Sequence, residues 1–349
     1  MPADTPSAGA TPPALGYLEW LGAEGERLTL LGWMLRADLA HDDLRATLDG
    51  VPLAGVERLN RPDVAAALPH IRHAGTSGFR LQFASRDLPA GRTARLDILG
   101  LREGQEIFRH AAPVRSDLDT LVPTPPPELM ARVGGVAAPA FFKLGGLAMA
   151  SVFQEAIAAH AGEKPPARLL DWGCGCGRLL GFVVATWGVP EVHGCDIDGD
   201  AVEWCMTHYP AQRFARIPEM PPTEYAPESL DAVLGFSVFT HLARPVQDVW
   251  LWELHRLLAP GGLLLATVHG DFAARVAFGA EAERLLRDGI YDETPDAALG
   301  EVASPGYYRG TYQTRAYTLS RWSVPFEILE YREQGIGNHQ DLVVMRKRR

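Results

Sequence analysis

Short apolar runs separated by turns dominate the first third of the chain. Runs at 28–35, 44–48, 78–83 and 95–99 have the length of strands. Between 44–48 and 51–53, the dipeptide Asp49-Gly50 is typical of a tight hairpin turn. A single short helix is expected at 63–68. This pattern predicts an all-β sandwich domain over residues 16–116.

A different pattern begins near residue 168, where apolar runs alternate with helical stretches. The runs are 168–171, 191–196, 230–236 and 263–268. Such alternation predicts a mostly parallel sheet with crossover helices on both faces. Two further runs, 326–331 and 340–345, predict a terminal antiparallel hairpin. The predicted fold class is therefore α/β, with a Rossmann-like sheet following the N-terminal sandwich.

The remaining segments set the predicted domain boundaries. Residues 1–15 are rich in Pro, Ala, Thr and Ser and are expected to form a disordered tail. Residues 117–140 contain the proline-rich stretch 122–127 and are interpreted as a linker with an entry helix. The second domain is predicted to cover residues 141–349, beginning with a long helix at 141–160.

Composition limits the classes of partner. The net charge of −10 argues against a nucleic-acid binder, which needs a basic surface. The sequence shows neither a membrane-spanning run nor a signal peptide, so we expect no membrane partner and a cytoplasmic location. The four cysteines lie within one segment, which is unlike a secreted disulfide framework. The oligomeric state is not indicated.

Three glycines connect the first parallel strand to the next helix. Gly173, Gly175 and Gly177 follow Asp171, and glycine allows a sharp turn close to a ligand. Dinucleotides and S-adenosylmethionine (SAM) both bind at turns of this kind. A dinucleotide turn needs G-x-G-x-x-G. Here its third position falls on Arg178 or Leu180, so the spacing favours SAM, whose ammonium group Asp171 could help to anchor.

The second parallel strand ends at Asp196, about 20 residues after the glycines. A carboxylate at this position can accept hydrogen bonds from both ribose hydroxyls, with Ile197 against the adenine face. Alternatively, Asp196 only caps the helix at 199–208.

Four strings in order, D-W-G-C-G-C-G-R, H-G-C-D-I-D, S-V-F-T-H-L and L-A-P-G-G, resemble a bacterial subgroup of class I SAM-dependent methyltransferases. The resemblance extends from residue 122 to the C-terminus. It implies a class I methyltransferase sheet with SAM as cofactor. The implied cofactor-binding residues are Asp171, Gly173, Cys174, Gly175, Arg178, Asp196, Ile197, Phe236 and Ser237.

The chain departs from that family after the third strand. Many members place Asp or Asn there to hold the adenine amino group, but 214–218 contains neither. Backbone groups around Arg216 and Ile217 are the predicted substitute. In the region 16–115, the residues Gly32-Trp33, Asp49-Gly50, 61–65 and Gly78-Phe79 resemble, more loosely, those of β-sandwich modules attached to bacterial glycosyltransferases. This resemblance implies a glycan or glycoconjugate acceptor.

Three side chains are candidates for catalysis. His241 and His269 follow the fourth and fifth parallel strands, at the sheet edge where ligands bind, and either could serve as a general base. His241 could equally be structural. Tyr308, with Tyr307 and Tyr312, could form a lid over the substrate, or these tyrosines could pack beneath a loop.

A metal site is the weaker reading of the cysteines. Cys174, Cys176, Cys195 and His193 could bind zinc, but the C-x-C lies inside a turn that must stay open, so packed thiols and no metal are expected. The predicted function is methyl transfer by direct SN2 displacement to an O, N or S acceptor on a small molecule or glycoconjugate. The alternative is a glycan-binding module with a catalytically degenerate SAM fold.

Overall fold

The computed structural model describes residues 15–162, 165–337 and 339–348. The predicted disordered tail lies outside these residues except for Leu15, which is not part of a tail because it begins the first strand. The chain divides into two compact units, Met1–Ser116 and Asp117–Arg349.

The first unit consists of two antiparallel four-stranded sheets. Its elements are β1 (Leu15–Glu24), β2 (Arg27–Leu35), β3 (Asp43–Leu48), β4 (Val51–Pro52), β5 (Val56–Leu59), α1 (Pro62–Ala67), β6 (Gly78–Ala84), β7 (Ala94–Arg102) and β8 (Gln105–Val114). The strand orders are β1-β2-β6-β5 and β4-β3-β7-β8. Buried and more exposed positions alternate along much of β3 and β6, so each sheet has one buried face.

The Asp49-Gly50 turn has the predicted geometry. Both residues have positive φ, 48° and 81°, as a tight two-residue hairpin requires. Leu48 pairs with Val51 across the turn. The local sequence therefore sets the register of this hairpin.

The second unit alternates helices and strands. Its helices are α2 (Leu118–Leu121), α3 (Pro127–Gly134), α4 (Pro139–His160), α5 (Leu180–Phe182), α6 (Gly199–His208), α7 (Arg244–Leu257), α8 (Asp271–Phe278), α9 (Ala282–Leu285) and α10 (Arg315–Trp322). Its strands are β9 (Arg168–Trp172), β10 (Glu191–Asp196), β11 (Arg213–Arg216), β12 (Leu230–Gly235), β13 (Leu258–Val268), β14 (Ile290–Pro295), β15 (Arg309–Gln313), β16 (Phe326–Ile336) and β17 (Gln340–Lys347).

Seven of these strands form one mixed sheet in the order β11-β10-β9-β12-β13-β17-β16. The first five are parallel to one another. Strand β17 runs antiparallel to β13 and pairs antiparallel with β16. The predicted α/β fold, with a mostly parallel sheet and a terminal antiparallel hairpin, is confirmed.

The segment 117–140 differs from the predicted linker. It carries α2 and α3 and belongs to the second unit. Val122 is buried, and Asp119 accepts a hydrogen bond from the buried Lys143 of α4 at 2.8 Å. Residues 123–126 are irregular, as three prolines within four residues favour. The segment is therefore packed structure rather than a free connection.

Two further features were not predicted. The helix after the glycine turn becomes regular only at Leu180 and continues as a π-helical turn over Val183–Trp187, because three positive-φ glycines lengthen the turn. Strands β14 and β15 form a separate two-stranded antiparallel sheet.

A cluster of buried aromatic rings lies beneath the carboxyl ends of the central strands. The Trp172 ring lies 5.0 Å from those of both Phe239 and Trp250, and the Phe239 ring lies 4.7 Å from that of Trp322. All four side chains are at most 2% exposed. This packing holds the edge of the sheet that carries the candidate site.

Within the described ranges, no single helix is long and apolar enough to cross a membrane. The pair α3 and α4 reaches that length and composition only together, with a bend of 45° between them.

Candidate functional site

The glycine turn is held at the carboxyl end of β9 by the neighbouring strand. The backbone N–H groups of Gly173 and Cys174 both donate to the carbonyl of Cys195, at 2.8 and 3.0 Å. Gly173, Gly175 and Gly177 have φ values of 76°, 50° and 83°. Only glycine adopts this conformation at little cost, so the sequence dictates the turn.

The turn also lacks space for side chains. A Cβ on Gly173 would overlap Cγ2 of Val238, and a Cβ on Gly175 would lie 2.6 Å from Cγ2 of Val133. The backbone of the turn therefore packs directly against its neighbours.

Asp196 closes the other side of this turn. Its carboxylate accepts hydrogen bonds from the backbone N–H groups of Gly175, at 2.7 Å, and Asp198, at 2.9 Å. The N-cap of α6 is Asp198, whose side chain accepts from Asp200 and Ala201. The alternative that Asp196 caps this helix is therefore wrong, and Asp196 lines the pocket.

Asp171 is a buried carboxyl beneath the turn. It is 2% exposed, and its Oδ2 atom has no hydrogen-bond partner among the described residues. Burial, together with the charge of Asp196, raises the pKa of Asp171 to about 7, although the Leu180 N–H and the Arg178 guanidinium act in the opposite direction. An unpartnered buried acceptor of this kind is suited to a cationic ligand.

Because the pKa of Asp171 is raised in the folded chain, the free energy of unfolding should depend on pH. Between about pH 4 and about pH 7, the folded chain binds a proton here that the unfolded chain does not. The free energy of unfolding should therefore fall as pH rises across this window, by up to about 1.4 kcal/mol per pH unit from this residue. Urea unfolding at pH 5, 6, 7 and 8 measures it.

The Asp171→Asn variant is the control for that prediction. Burial also raises the pKa values of Asp196 and Asp341, so both act in the same direction and remain in the variant. The difference between wild type and variant isolates Asp171. An identical pH dependence in both proteins would contradict the assignment.

The turn, Asp171 and Asp196 line one pocket at the carboxyl edge of the sheet. All ten residues predicted to bind cofactor lie in its wall: Asp171, Gly173, Cys174, Gly175, Arg178, Asp196, Ile197, Ile217, Phe236 and Ser237. Other lining residues are Arg132, Val133, Trp172, Leu179, Asp198, Val238, His241, Leu242, Trp250, Leu299, Tyr307 and Tyr308.

The residues after β12 are held in an unusual conformation. Ser237 has a φ of 57°, which is rare for a residue other than glycine. Its N–H donates to Thr267, and its hydroxyl hydrogen-bonds with Thr240 and accepts from Gln340. Strain of this kind, held by surrounding hydrogen bonds, is typical of functional sites. Next to it, the Arg178 guanidinium lies 5.0 Å above the Phe236 ring.

The three candidate catalytic residues occupy different positions. His241 and Tyr308 line the pocket and stack on each other, with ring centroids 4.1 Å apart. His269 does not line it; its ring lies 6.2 Å from that of His241 and stacks on Tyr312. Burial lowers the pKa of His269 well below its usual value. His269 is therefore placed behind His241, away from a direct role on substrate.

The tyrosines divide in the same way. Tyr307 lines the pocket and donates a hydrogen bond from its hydroxyl to the carbonyl of Glu219 at 2.6 Å. Tyr312 packs between His269 and Phe278. Tyr307 and Tyr308 therefore line the pocket, and Tyr312 does not.

The cysteines are packed thiols. All four are buried and free. Burial raises the pKa of Cys176 to about 12 and that of Cys195 well above the usual value, and a hydrogen bond with Cys205 together with burial does the same for Cys174. These shifts disfavour the thiolate that zinc requires. No group of three or more potential metal ligands is found in the described part of the chain.

Sequence analysis missed the contribution of α3. Arg132 and Val133 line the pocket, and the Arg132 guanidinium bridges Asp198 and Asp200 at 3.0 Å each. These residues precede the glycine turn by about 40 positions in a segment read as linker, so no local spacing connected them to it. The amphipathic pattern at 128–133 was the only available signal.

Comparison with known proteins gives a family match inside the second unit. Residues 170–264 match the model of a methyltransferase domain. The matched span covers the glycine turn, Asp196 and Ser237, and ends within β13.

Solved structures with similarity to this chain include several methyltransferases. One is 1,6-didemethyltoxoflavin-N1-methyltransferase from Burkholderia thailandensis, with bound 1,6-didemethyltoxoflavin and S-adenosylhomocysteine (16% identity, 56% of this chain and 76% of that chain, TM-score 0.40). Another is a SAM-dependent methyltransferase from Methanosarcina mazei (18% identity, 55% and 97%, TM-score 0.40). A third is geranyl diphosphate C-methyltransferase from Streptomyces coelicolor A3(2) (12% identity, 59% and 81%, TM-score 0.39).

The pocket fits the cofactor of such a domain. The unpartnered Oδ2 atom of Asp171 suits the ammonium group of SAM, and the carboxylate of Asp196 suits its ribose hydroxyls. The backbone of the glycine turn forms part of the pocket wall. Residues 170–264 therefore match a methyltransferase domain, and the residues of the pocket fit S-adenosylmethionine as its cofactor.

Proposed function

We propose that the protein moves the methyl group of SAM by direct SN2 displacement to an acceptor on a small molecule or glycoconjugate. SAM supplies a methyl group activated by its positive sulfonium. The observation that carries the proposal is the arrangement of Asp171, the glycine turn and Asp196 around one pocket, with His241 and Tyr308 in the same wall.

In this proposal the chain acts mainly by orienting and enclosing the reactants. Asp171 holds the ammonium group, Asp196 holds the ribose, and Ile197 and Ile217 flank the adenine. Tyr307 and Tyr308 cover the pocket and exclude water. Alignment of acceptor and methyl group within such an enclosure accounts for much of the rate of a displacement reaction.

The position of Ile217 supports the prediction that backbone groups, rather than a side-chain carboxylate, hold the adenine. Its N–H donates to the backbone carbonyl of Asp196 at 2.9 Å, which fixes the end of β11 beside the cofactor pocket. We propose that backbone groups at Arg216 and Ile217 hold the adenine amino group, in place of the Asp or Asn that the family often uses.

The N-terminal unit supports the glycoconjugate part of the proposal only indirectly. It contains two antiparallel sheets, each with one buried face, as a β-sandwich does. We propose that this unit is a sandwich module that recognises glycan. A cytoplasmic location without nucleic-acid or membrane partners is also proposed, and is supported by four free, buried cysteines and a net charge of −10.

Isothermal titration calorimetry tests the proposed function directly. The wild-type protein should bind SAM and S-adenosylhomocysteine and should not bind NAD, because the glycine spacing leaves no place for a pyrophosphate. Incubation with SAM carrying a tritiated methyl group should then label an acceptor. Absence of SAM binding at millimolar concentration would contradict the proposal.

A further inference from the structure

One part of the pocket has a feature that SAM binding does not require. His241 lies on the turn after β12, and Asp296 follows directly after β14. Nδ1 of His241 lies 3.2 Å from Oδ2 of Asp296, and both side chains are largely buried, at 17% and 26% exposure. The fourth strand of the main sheet and the separate hairpin therefore bring a histidine and a carboxylate together.

The orientation of the imidazole is fixed on two sides. Asp296 holds the edge that carries Nδ1, and the ring plane lies almost parallel to that of Tyr308, with an angle of 9° between them. His241 also lines the pocket. Nδ1 is buried, and its approach to Oδ2 of Asp296 is an ion-pair contact without the alignment of a hydrogen bond. The opposite edge of the ring, with Nε2, is therefore the one left for a ligand.

The surrounding charges suit a histidine that accepts a proton. The contact with His241 lowers the pKa of Asp296, so this carboxyl is ionised at neutral pH and its charge favours a proton on the facing Nδ1. Burial raises the pKa of Tyr308, which therefore stays protonated and cannot itself serve as the base. Burial also lowers the pKa of His269, so the nearest second imidazole is neutral.

We propose that His241 and Asp296 form a base dyad, and that the methyl acceptor is a hydroxyl group. This inference rests on the proposed function. Nε2 of His241 takes the proton of the hydroxyl while its oxygen forms a bond to the methyl carbon. The carbon–sulfur bond breaks, and its electron pair stays on sulfur. The products are a methyl ether, S-adenosylhomocysteine and a protonated His241, which returns its proton to solvent.

The choice of a hydroxyl follows from nucleophile chemistry. A neutral amine attacks before it loses a proton, and a thiol ionises readily near neutral pH. A hydroxyl is a weak nucleophile until a base removes its proton. An oriented histidine paired with a carboxylate provides what the hydroxyl alone needs. Asp296 acts through His241 and is a positioning residue.

Nitrogen-15 NMR of the full-length protein labelled at histidine tests the dyad without an acceptor. The spectrum is recorded at pH 9, where imidazole is neutral, and the His241→Gln variant assigns the signal. The proton should lie on Nδ1 in the wild type and should move toward Nε2 in Asp296→Ala. Asp292→Asn is the matched control, because this β14 carboxylate contacts the N–H of Arg244 and lies outside the pocket wall. A proton on Nε2 in the wild type would overturn the dyad.

Phenol, aniline and thiophenol test the acceptor, because they share one shape and differ in the reacting atom. With tritiated-methyl SAM, label should enter phenol in preference to the other two. His241→Gln should lower transfer to phenol by roughly 10²- to 10⁴-fold and transfer to the more acidic 4-nitrophenol by much less. Asp296→Asn should lower transfer to phenol in the same sense, and Asp292→Asn should not.

Label in aniline or thiophenol without label in phenol would overturn the hydroxyl assignment. An equal loss for phenol and 4-nitrophenol in His241→Gln would overturn the base role. Calorimetric SAM affinity separates this inference from the proposed function. His241→Gln should still bind SAM, whereas a wild-type protein without SAM affinity would defeat the proposed function and leave the NMR result unaffected.

Discussion

Replacing Gly173 with Ala is expected to weaken SAM binding by roughly 10- to 100-fold. The new Cβ would overlap Cγ2 of Val238, and the φ of 76° disfavours any residue with a side chain. Overpacking of this kind costs about 1–3 kcal/mol. Either the turn or Val238 must move to relieve it, and both belong to the pocket wall. Isothermal titration calorimetry with SAM measures the loss.

Gly188→Ala provides the matched control for this prediction. Gly188 has a similar φ of 67°, but a Cβ there would meet nothing within 4 Å. It should lose some stability through backbone strain and keep its SAM affinity. The double variant Gly173→Ala/Val238→Ala removes the overlapping methyl group and should recover part of the affinity. Wild-type affinity in Gly173→Ala would show that the turn does not contact the cofactor.

Replacing Asp196 with Ala is expected to weaken SAM binding by about 1.5–3 kcal/mol, the range for a hydrogen bond to a charged group. This corresponds to roughly 10- to 150-fold in the dissociation constant. The loss has two sources: the ribose hydroxyls lose their acceptor, and the N–H of Gly175 loses the bond that fixes the turn. Calorimetry at constant pH measures the sum.

Two further variants separate these sources. Asp196→Asn keeps an oxygen for the Gly175 N–H but removes the charge, so it should retain the fold of the turn and lose part of the affinity. Asp200→Ala removes an exposed carboxylate at the start of α6, outside the pocket wall. The SAM affinity of this variant should stay near that of wild type. If Asp196→Ala bound SAM as tightly as wild type, the ribose ligand would be wrongly assigned.

The cofactor side of the pocket could be predicted because its determinants are local. Three glycines at alternate positions require a turn after β9, and parallel pairing places the end of β10 beside it. Asp196 therefore lies near the turn in any fold with this strand order. The identity of the helix cap was less certain, because both Asp196 and Asp198 precede α6 and only the structure assigns the cap to Asp198.

The acceptor side could not be predicted to the same degree. Asp296 reaches His241 through the hairpin of β14 and β15, which is separate from the main sheet. The hydrophobic pattern of the sequence did not predict this hairpin. Arg132 reaches the pocket from α3 in the same long-range way. Both contacts join segments about 40 or more residues apart, and packing rather than spacing decides them. His269 follows β13 as expected but lies outside the pocket wall, so its proposed role as a base stays a prediction.

A crystal structure of the protein with S-adenosylhomocysteine tests the central claim most directly. The account predicts that the ribose hydroxyls lie within hydrogen-bond distance of the Asp196 carboxylate, that the ammonium group lies beside Oδ2 of Asp171, and that the adenine lies between Ile197 and Ile217. Density for the ligand outside this pocket, or a glycine turn that makes no contact with it, would contradict the account.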